Sequence, residues 1–72
     1  MNVDELRRRL IRRRGVAGLS FHVEGQRKRL TVYVEDQGDV EAIRRELLDG
    51  EFKALSGEYE IEILPVGRFR AL

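Results

Sequence analysis

Residues 16–34, VAGLSFHVEGQRKRLTVYV, contain the pattern that decides the fold. Apolar and polar residues alternate over residues 16–24 and again over residues 29–35, and successive side chains of a β-strand point to opposite faces. The polar stretch between the two runs carries Gly25, which is typical of a hairpin loop. We therefore predict two strands joined by a hairpin, each with one apolar face. These faces consist of Ala17, Leu19, Phe21 and Val23 on the first strand and of Leu30, Val32 and Val34 on the second.

A helix is predicted before the hairpin, over residues 3–14. An apolar stripe with spacings of three and four residues, typical of a helix, is formed by Val3, Leu6 and Leu10. Asn2 followed three residues later by Glu5 indicates an N-cap with a capping-box partner. Arginines at 12–14 suit the negative end of the helix dipole, and Gly15 is a natural stop.

After the hairpin we predict a second helix over residues 39–49 and a third strand over residues 59–63. The helix has an apolar stripe at Val40, Ile43 and Leu47, and the strand alternates three glutamates with Tyr59, Ile61 and Ile63. Residues 51–57 can prolong a helical turn or cover a sheet edge. Residues 66–72 can form a short edge strand or fold back on the core.

These elements predict a single α+β domain over residues 1–72. The order α-β-β-α-β, with a possible fourth strand, favours a two-layer sandwich with both helices on one face of a mostly antiparallel sheet. Placing the third strand beside the first gives the order 2-1-3, which is a truncated or permuted form of the ferredoxin-like plan. An edge left unfilled in such a sheet would favour pairing with a second chain.

Composition excludes several classes of function. The chain has 72 residues, of which 42% are hydrophobic and 38% charged, with no Cys and one His. It is too apolar for a disordered tail, and it lacks the roughly 20 consecutive apolar residues of a membrane span. The absence of Cys removes disulfides, thiolate metal sites and thiol catalysis. We expect no cofactor, no metal site and no small-molecule substrate, and an acidic N-terminus without a following apolar run predicts no signal peptide and a cytoplasmic location.

Charge is distributed unevenly along the chain. Residues 1–34 hold nine basic and three acidic residues, a net +6, whereas residues 35–72 hold five and ten, a net −5. A basic half of this kind can bind the phosphates of a nucleic acid without regard to sequence. The candidate nucleic-acid-binding residues are Arg7, Arg8, Arg12, Arg13, Arg14, Arg27, Lys28 and Arg29. The alternative is that the arginines of the first helix pair with acidic residues of the second half, namely Glu41, Glu46 or Asp49.

Two further motifs carry weaker signals for chemistry. Residues 15–18, Gly-Val-Ala-Gly, have the spacing of the GxxG loop with which KH domains clamp nucleic-acid backbone, although a helix stop before a strand explains them as well. Ser20, His22 and Glu24 share one face of the first strand, but residues two apart on a strand are about 7 Å apart, which is too far for a nucleophile and its base. We therefore nominate no catalytic residue.

A row of glutamates marks the third strand. Glu58, Glu60 and Glu62 alternate with its apolar residues, but no loop supplies the further oxygen ligands that a hard cation needs. We expect these glutamates either to pair across the sheet with basic residues, for which positions 27–29 of the hairpin are the candidates, or simply to face solvent.

Three segments together resemble a known family. Residues 15–21, 30–34 and 59–72 resemble the N-terminal region that precedes the catalytic domain in bacterial trypsin-like serine protease homologues, with the ending Gly67–Leu72 the most distinctive part. The irregular middle of that family is replaced here by the helix at 39–49, and the catalytic domain with its triad residues is absent. The resemblance therefore implies a stand-alone accessory or interaction domain, not a protease.

The sequence as a whole favours a small non-enzymatic protein-interaction domain that self-associates. A chain of this length buries only about 60% of the surface that its unfolded form exposes, so a second copy adds buried area that one copy lacks. The contact would be a free sheet edge or the bipolar charge. The alternative function is a nucleic-acid-binding module that uses the arginine-rich face of the first helix.

Overall fold

The computed structural model of the chain describes residues 3–66, which form three helices and one three-stranded sheet. Both predicted helices and all three predicted strands are confirmed, and the α+β class with them. Residues 51–57, for which the sequence left two alternatives, contribute most of a short third helix. In chain order the elements are α1 (Val3–Arg12), β1 (Val16–Glu24), β2 (Arg27–Val34), α2 (Gln37–Asp49), α3 (Lys53–Glu58) and β3 (Glu60–Pro65). The predicted N-cap Asn2 and the predicted tail strand beyond Val66 lie outside the described residues.

Strands β1 and β2 form the predicted hairpin around a two-residue loop. Gly25 has φ 63°, a left-handed conformation that glycine adopts without strain, and Glu24 and Arg27 pair on either side of the loop. A β-bulge between Val16 and Gly18 shifts the register at the other end of β1. The extra residue turns Ala17 into solvent and packs Val16 against the core, so the prediction that Ala17 lies on the apolar face is wrong.

Strand β3 lies beside β2, not beside β1. The sheet order is β1-β2-β3, with β1 antiparallel and β3 parallel to β2. The predicted order 2-1-3 and the mostly antiparallel sheet are therefore wrong, and the sheet is mixed. The helix layer matches this order: α1 packs over β1, whereas α2 packs over β3 and β2 and α3 packs over β3, so the crossover returns the chain along the edge of β2 that β1 leaves free.

The core lies between one face of the sheet and the three helices. Its buried side chains are Leu6 and Leu10 of α1, Leu30, Val32 and Val34 of β2, Ile43 and Leu47 of α2, Phe52 before α3 and Leu55 within it. All three buried residues of the sheet belong to β2, which is the central strand. The apolar residues of the two edge strands are half-buried or exposed, because the helix layer does not reach beyond them.

Candidate interaction surface at the free edge of β1

Strand β1 leaves a row of backbone groups without partners. The amide of Glu35 donates to the carbonyl of Gly15 on the β1 side at 2.8 Å, and the carbonyl of Val34 accepts from Val66 on the β3 side at 2.9 Å. Odd-numbered residues of β2 therefore bond β1. Bonded and non-bonded pairs alternate along an antiparallel ladder, so the β1 residues that form hydrogen bonds with β2 are those opposite these odd positions, at 18, 20, 22 and 24.

Between these bonded residues, past the β-bulge, lie Leu19, Phe21 and Val23. They direct their N–H and C=O groups away from β2. Within residues 3–66 these groups have no hydrogen-bond partner. We call the backbone and side chains of these three residues the β1 edge. It is an unpaired template for an added strand.

The side chains of the β1 edge form an apolar strip on the helix side of the sheet. Leu19 is half-buried, whereas Phe21 is 41% and Val23 64% exposed, because α1 does not extend over the hairpin end of β1. A groove of about 410 Å³ runs between α1 and this strip and is lined by Asp4, Arg7, Arg8, Ile11, Leu19 and Phe21. Ile11 is 51% exposed on the α1 side of the groove.

Phe21 is held in place from two sides. The guanidinium carbon of Arg7 lies 4.6 Å from the centre of its ring, and the ring of Tyr59 lies 5.6 Å from it at 57°. Arg7 is also paired with Asp4. These contacts fix the ring at the edge of the sheet while a large part of it faces water.

The opposite edge of the sheet is less suited to strand addition. Because the amide of Val66 donates to β2, the N–H and C=O groups of the even-numbered residues of β3 point toward β2. Within β3, only Ile61 and Ile63 direct both an N–H and a C=O group outward. The next outward position is Pro65, which has no N–H to donate. Proline and charged residues are the features by which sheet edges avoid pairing, and β3 has both, whereas the β1 edge has neither.

Five of the eight candidate nucleic-acid-binding residues are held in ion pairs. Arg13 binds Glu46 with its Nε 2.8 Å from both carboxylate oxygens. The other four pairs are Arg7 with Asp4, Arg27 with Glu60 at 3.1 Å, Arg29 with Glu60 at 4.0 Å and Lys28 with Glu58 at 2.9 Å. The pairing predicted between the hairpin and the glutamates is thus confirmed for Glu60 and for Glu58, which belongs to α3 and not to the strand, whereas Glu62 forms no ion pair within residues 3–66.

The alternative interpretation of the α1 arginines is confirmed at Glu46. The hydrogen bond from Arg13 to that carboxylate, and then the charge attraction between them, raise the pKa of Arg13 above its ordinary value. Glu41 pairs within α2, with Arg44, and Arg9 pairs with Glu51 at 3.1 Å. The basic half and the acidic half of the chain are therefore partly neutralised inside one molecule.

Three of the candidate residues, Arg8, Arg12 and Arg14, are exposed and form no ion pair with residues 3–66. Arg8 lines the groove beside β1, and Arg12 lines a depression on the other side of α1, with Glu46 and Glu51. The unpaired positive charge is therefore spread around α1, not gathered in one cleft.

The other chemical motifs do not form sites. Residues 15–18 lie in the turn before β1 and in β1 itself, not in a loop between two helices, so the KH interpretation is wrong. The Nε2 atom of His22 lies 3.9 Å from a carboxylate oxygen of Glu24, and no hydrogen bond joins His22 to Ser20. Residues 3–66 contain no group of three or more potential ligands arranged to hold a metal ion. No helix in this described part combines the length and apolar character needed to cross a bilayer.

The β1 edge was missed at the sequence level because the order 2-1-3 placed β1 in the centre of the sheet. The signal that could have revealed it is the composition of residues 19–23, which contain neither proline nor lysine.

Compared with protein-family models, curated proteins and solved structures, the chain matches none. The resemblance to the protease-associated region therefore stays a prediction.

Proposed function

We propose that this chain is a non-enzymatic protein-interaction domain that binds an extended segment of a partner along the β1 edge, and that the partner is a second copy of the chain. The observation that carries the proposal is the coincidence of unpaired backbone groups and exposed apolar side chains at Leu19, Phe21 and Val23. An accessory role of this kind also agrees with what the resemblance to the protease-associated region implies.

The physical basis is strand addition. An extended segment beside β1 would satisfy the outward N–H and C=O groups, and its alternate side chains would pack on Phe21 and Val23. A strip this small binds weakly by apolar burial alone, so backbone hydrogen bonds supply the specificity of position. The thin core of a chain of this length adds a second reason, because association buries apolar surface that one copy leaves in water.

The proposal is tested by one substitution with a matched control. Val23→Lys places a charge on the β1 edge at a side chain that is 64% exposed, so the monomer loses little packing. Leu48→Lys introduces the same charge on α2, where the side chain is 62% exposed and remote from β1. We expect the mass of the parent chain and of Leu48→Lys to rise with concentration in analytical ultracentrifugation, and Val23→Lys to stay monomeric. A parent chain that is monomeric at millimolar concentration, or one dissociated by Leu48→Lys alone, contradicts the proposal.

Nucleic-acid binding is the second candidate, and the three unpaired arginines Arg8, Arg12 and Arg14 favour it. With so few free cations, binding would be weak and its dependence on salt would be shallow, because that dependence grows with the number of phosphates contacted. We expect the Arg8→Glu/Arg12→Glu double variant to lose this binding. Arg45→Glu/Lys53→Glu changes the net charge equally at exposed cations that have no ion pair within residues 3–66, and it should retain binding. Equal loss in both variants, measured by fluorescence anisotropy with a labelled duplex, would reject α1 as the surface.

A further inference from the structure

We propose that two copies pair through antiparallel β1 strands with a two-fold axis beside Phe21, so that Phe21 faces Phe21 of the second copy and Leu19 faces Val23. This geometry rests on the proposed function and specifies it further. It joins the two sheets into one continuous six-stranded sheet in which neither β1 is an edge.

The backbone favours this register over its neighbours. With the axis at Phe21, every residue of the β1 edge lies opposite a residue of the β1 edge of the second copy. Leu19 lies opposite Val23, and Phe21 lies opposite Phe21. Moving the axis to residue 22 places Leu19 opposite Gly25, which belongs to the hairpin loop. Moving it to residue 20 places Val23 opposite Ala17, the extra residue of the β-bulge. Phe21 is thus the centre of the regular part of β1, between a loop on one side and a bulge on the other.

The side chains are compatible with the same register. On the helix side, two phenylalanines meet at the axis and a Leu19–Val23 pair flanks them on either side, all apolar. On the open face of the sheet, Ser20 lies opposite His22 and Gly18 opposite Glu24 of the second copy. No two charges of the same sign lie directly opposite each other, an arrangement that would oppose pairing.

The groove above the β1 edge receives the added strand. Ile11 is the exposed apolar residue on its α1 wall, and side chains of the second copy that point to the helix side can pack against Ile11 and Phe21. Arg7, which lies over the Phe21 ring, is already paired with Asp4 of its own chain. This ion pair offsets part of the Arg7 charge, whereas Arg8, which also lines the groove, has no ion pair within residues 3–66.

Cysteine pairing tests the register, because the chain has no Cys and an introduced thiol is the only one present. Ser20 and His22 would form a non-hydrogen-bonded pair across the axis, with Cα atoms about 4.5 Å apart, which suits a disulfide. Both side chains are exposed, so Ser20→Cys and His22→Cys leave the core intact. In either variant alone, the two thiols lie two residues out of register, about 7 Å apart along the strand, beyond the reach of a disulfide.

We expect a disulfide-linked dimer in an oxidised mixture of Ser20→Cys and His22→Cys, identified by its mass as one chain of each. We expect no disulfide-linked dimer when either variant is oxidised alone. Cross-linking of His22→Cys alone places the axis at residue 22, and cross-linking of Ser20→Cys alone places it at residue 20; both overturn the register. Equal cross-linking in all samples indicates random collision and overturns it too. These outcomes are separate from the failure of the proposed function, which is a parent chain without concentration-dependent mass.

Discussion

Among single residues, Gly15 illustrates a requirement that the sequence only suggests. The sequence predicts it as a helix stop, and α1 does end just before it, at Arg12. Its φ of 95° lies in the region that side chains disfavour. A Cβ at this position would also lie 2.8 Å from Cγ of Asp39 in α2, a contact across 24 residues that no local pattern predicts.

Gly15→Ala should therefore destabilise the domain. We expect a loss of about 1–2 kcal/mol from the backbone conformation alone, and more from the contact with Asp39. Urea unfolding of Gly15→Ala in the parent and in an Asp39→Ala background separates the two contributions. Gly57→Ala is the control, because a Cβ there meets nothing within 4 Å and alanine favours the helix. Equal stability of Gly15→Ala and the parent would contradict the conformation described for Gly15.

Lys28 gives a prediction about pH. Its side chain donates to a carboxylate oxygen of Glu58 at 2.9 Å, and this hydrogen bond, followed by the charge attraction, raises the pKa of Lys28 above its ordinary value. A raised pKa means that the pair stabilises the folded state fully below the pKa of the unfolded lysine, about 10.4, and that this stabilisation is lost as the pH rises through the folded value.

We expect Glu58→Gln to lower the pKa of Lys28, measured by NMR titration of its side-chain carbons. The parent should also lose more stability than the variant as the pH rises above about 10 and through the raised pKa of Lys28. Identical titration curves for Lys28 in the two proteins would show that the pair does not form in solution.

At the scale of elements, helix α2 shows how a local signal sets a boundary. Asp36 has extended backbone angles, and its Oδ1 accepts from the amide of Gly38 at 3.2 Å, so α2 begins at Gln37. Two aspartates, Asp36 and Asp39, precede the apolar stripe of this helix in the sequence, and the prediction that α2 begins at residue 39 started it too late. Asp36 has the extended backbone that an N-cap needs, whereas Asp39 lies within α2.

Removal of this cap should weaken α2. We expect Asp36→Ala to cost about 1 kcal/mol in the free energy of unfolding, because an amide at the helix start loses its acceptor. Asp36→Asn keeps a side-chain oxygen and should cost less. Chemical denaturation followed by circular dichroism measures both, and an Asp36→Ala variant as stable as Asp36→Asn would argue against capping by Asp36.

Helix α3 is the element that the sequence leaves open. Phe52 and Leu55 are three residues apart and both are buried, which is the spacing of one helical face. Ser56 and Gly57 lower the local helix propensity, so residues 51–57 carry no decisive local signal. Packing of these two side chains against α1 and α2 supplies the stabilisation that propensity does not.

At the scale of the whole molecule, self-association should couple to stability. A second copy that binds only the folded chain stabilises it by mass action. We expect the thermal midpoint of the parent chain to rise with protein concentration and that of Val23→Lys to be independent of it. Calorimetry over a hundredfold concentration range provides the measurement. A parent midpoint that does not move would contradict self-association of the folded chain over this concentration range.

The candidate surface was predictable only in part. The sequence showed that Phe21 and Val23 share the apolar face of a strand, and it raised a free sheet edge as a contact. It placed β1 in the centre of the sheet, however, where these residues would have been covered. For the basic residues, pairing with acidic residues of the second half was one of two predicted alternatives, and it occurs at Arg13, which the fold brings next to Glu46.

The sequence alone determined the kinds and the order of the main elements, because alternation with period two and spacings of three and four residues are local properties of the chain. Only the tertiary structure decided the sheet order, and with it the side of the sheet on which backbone groups stay unpaired. That outcome depends on which strand α1 covers and on where the crossover through α2 and α3 therefore returns. Both are set by packing between segments far apart in the sequence, which no local pattern encodes.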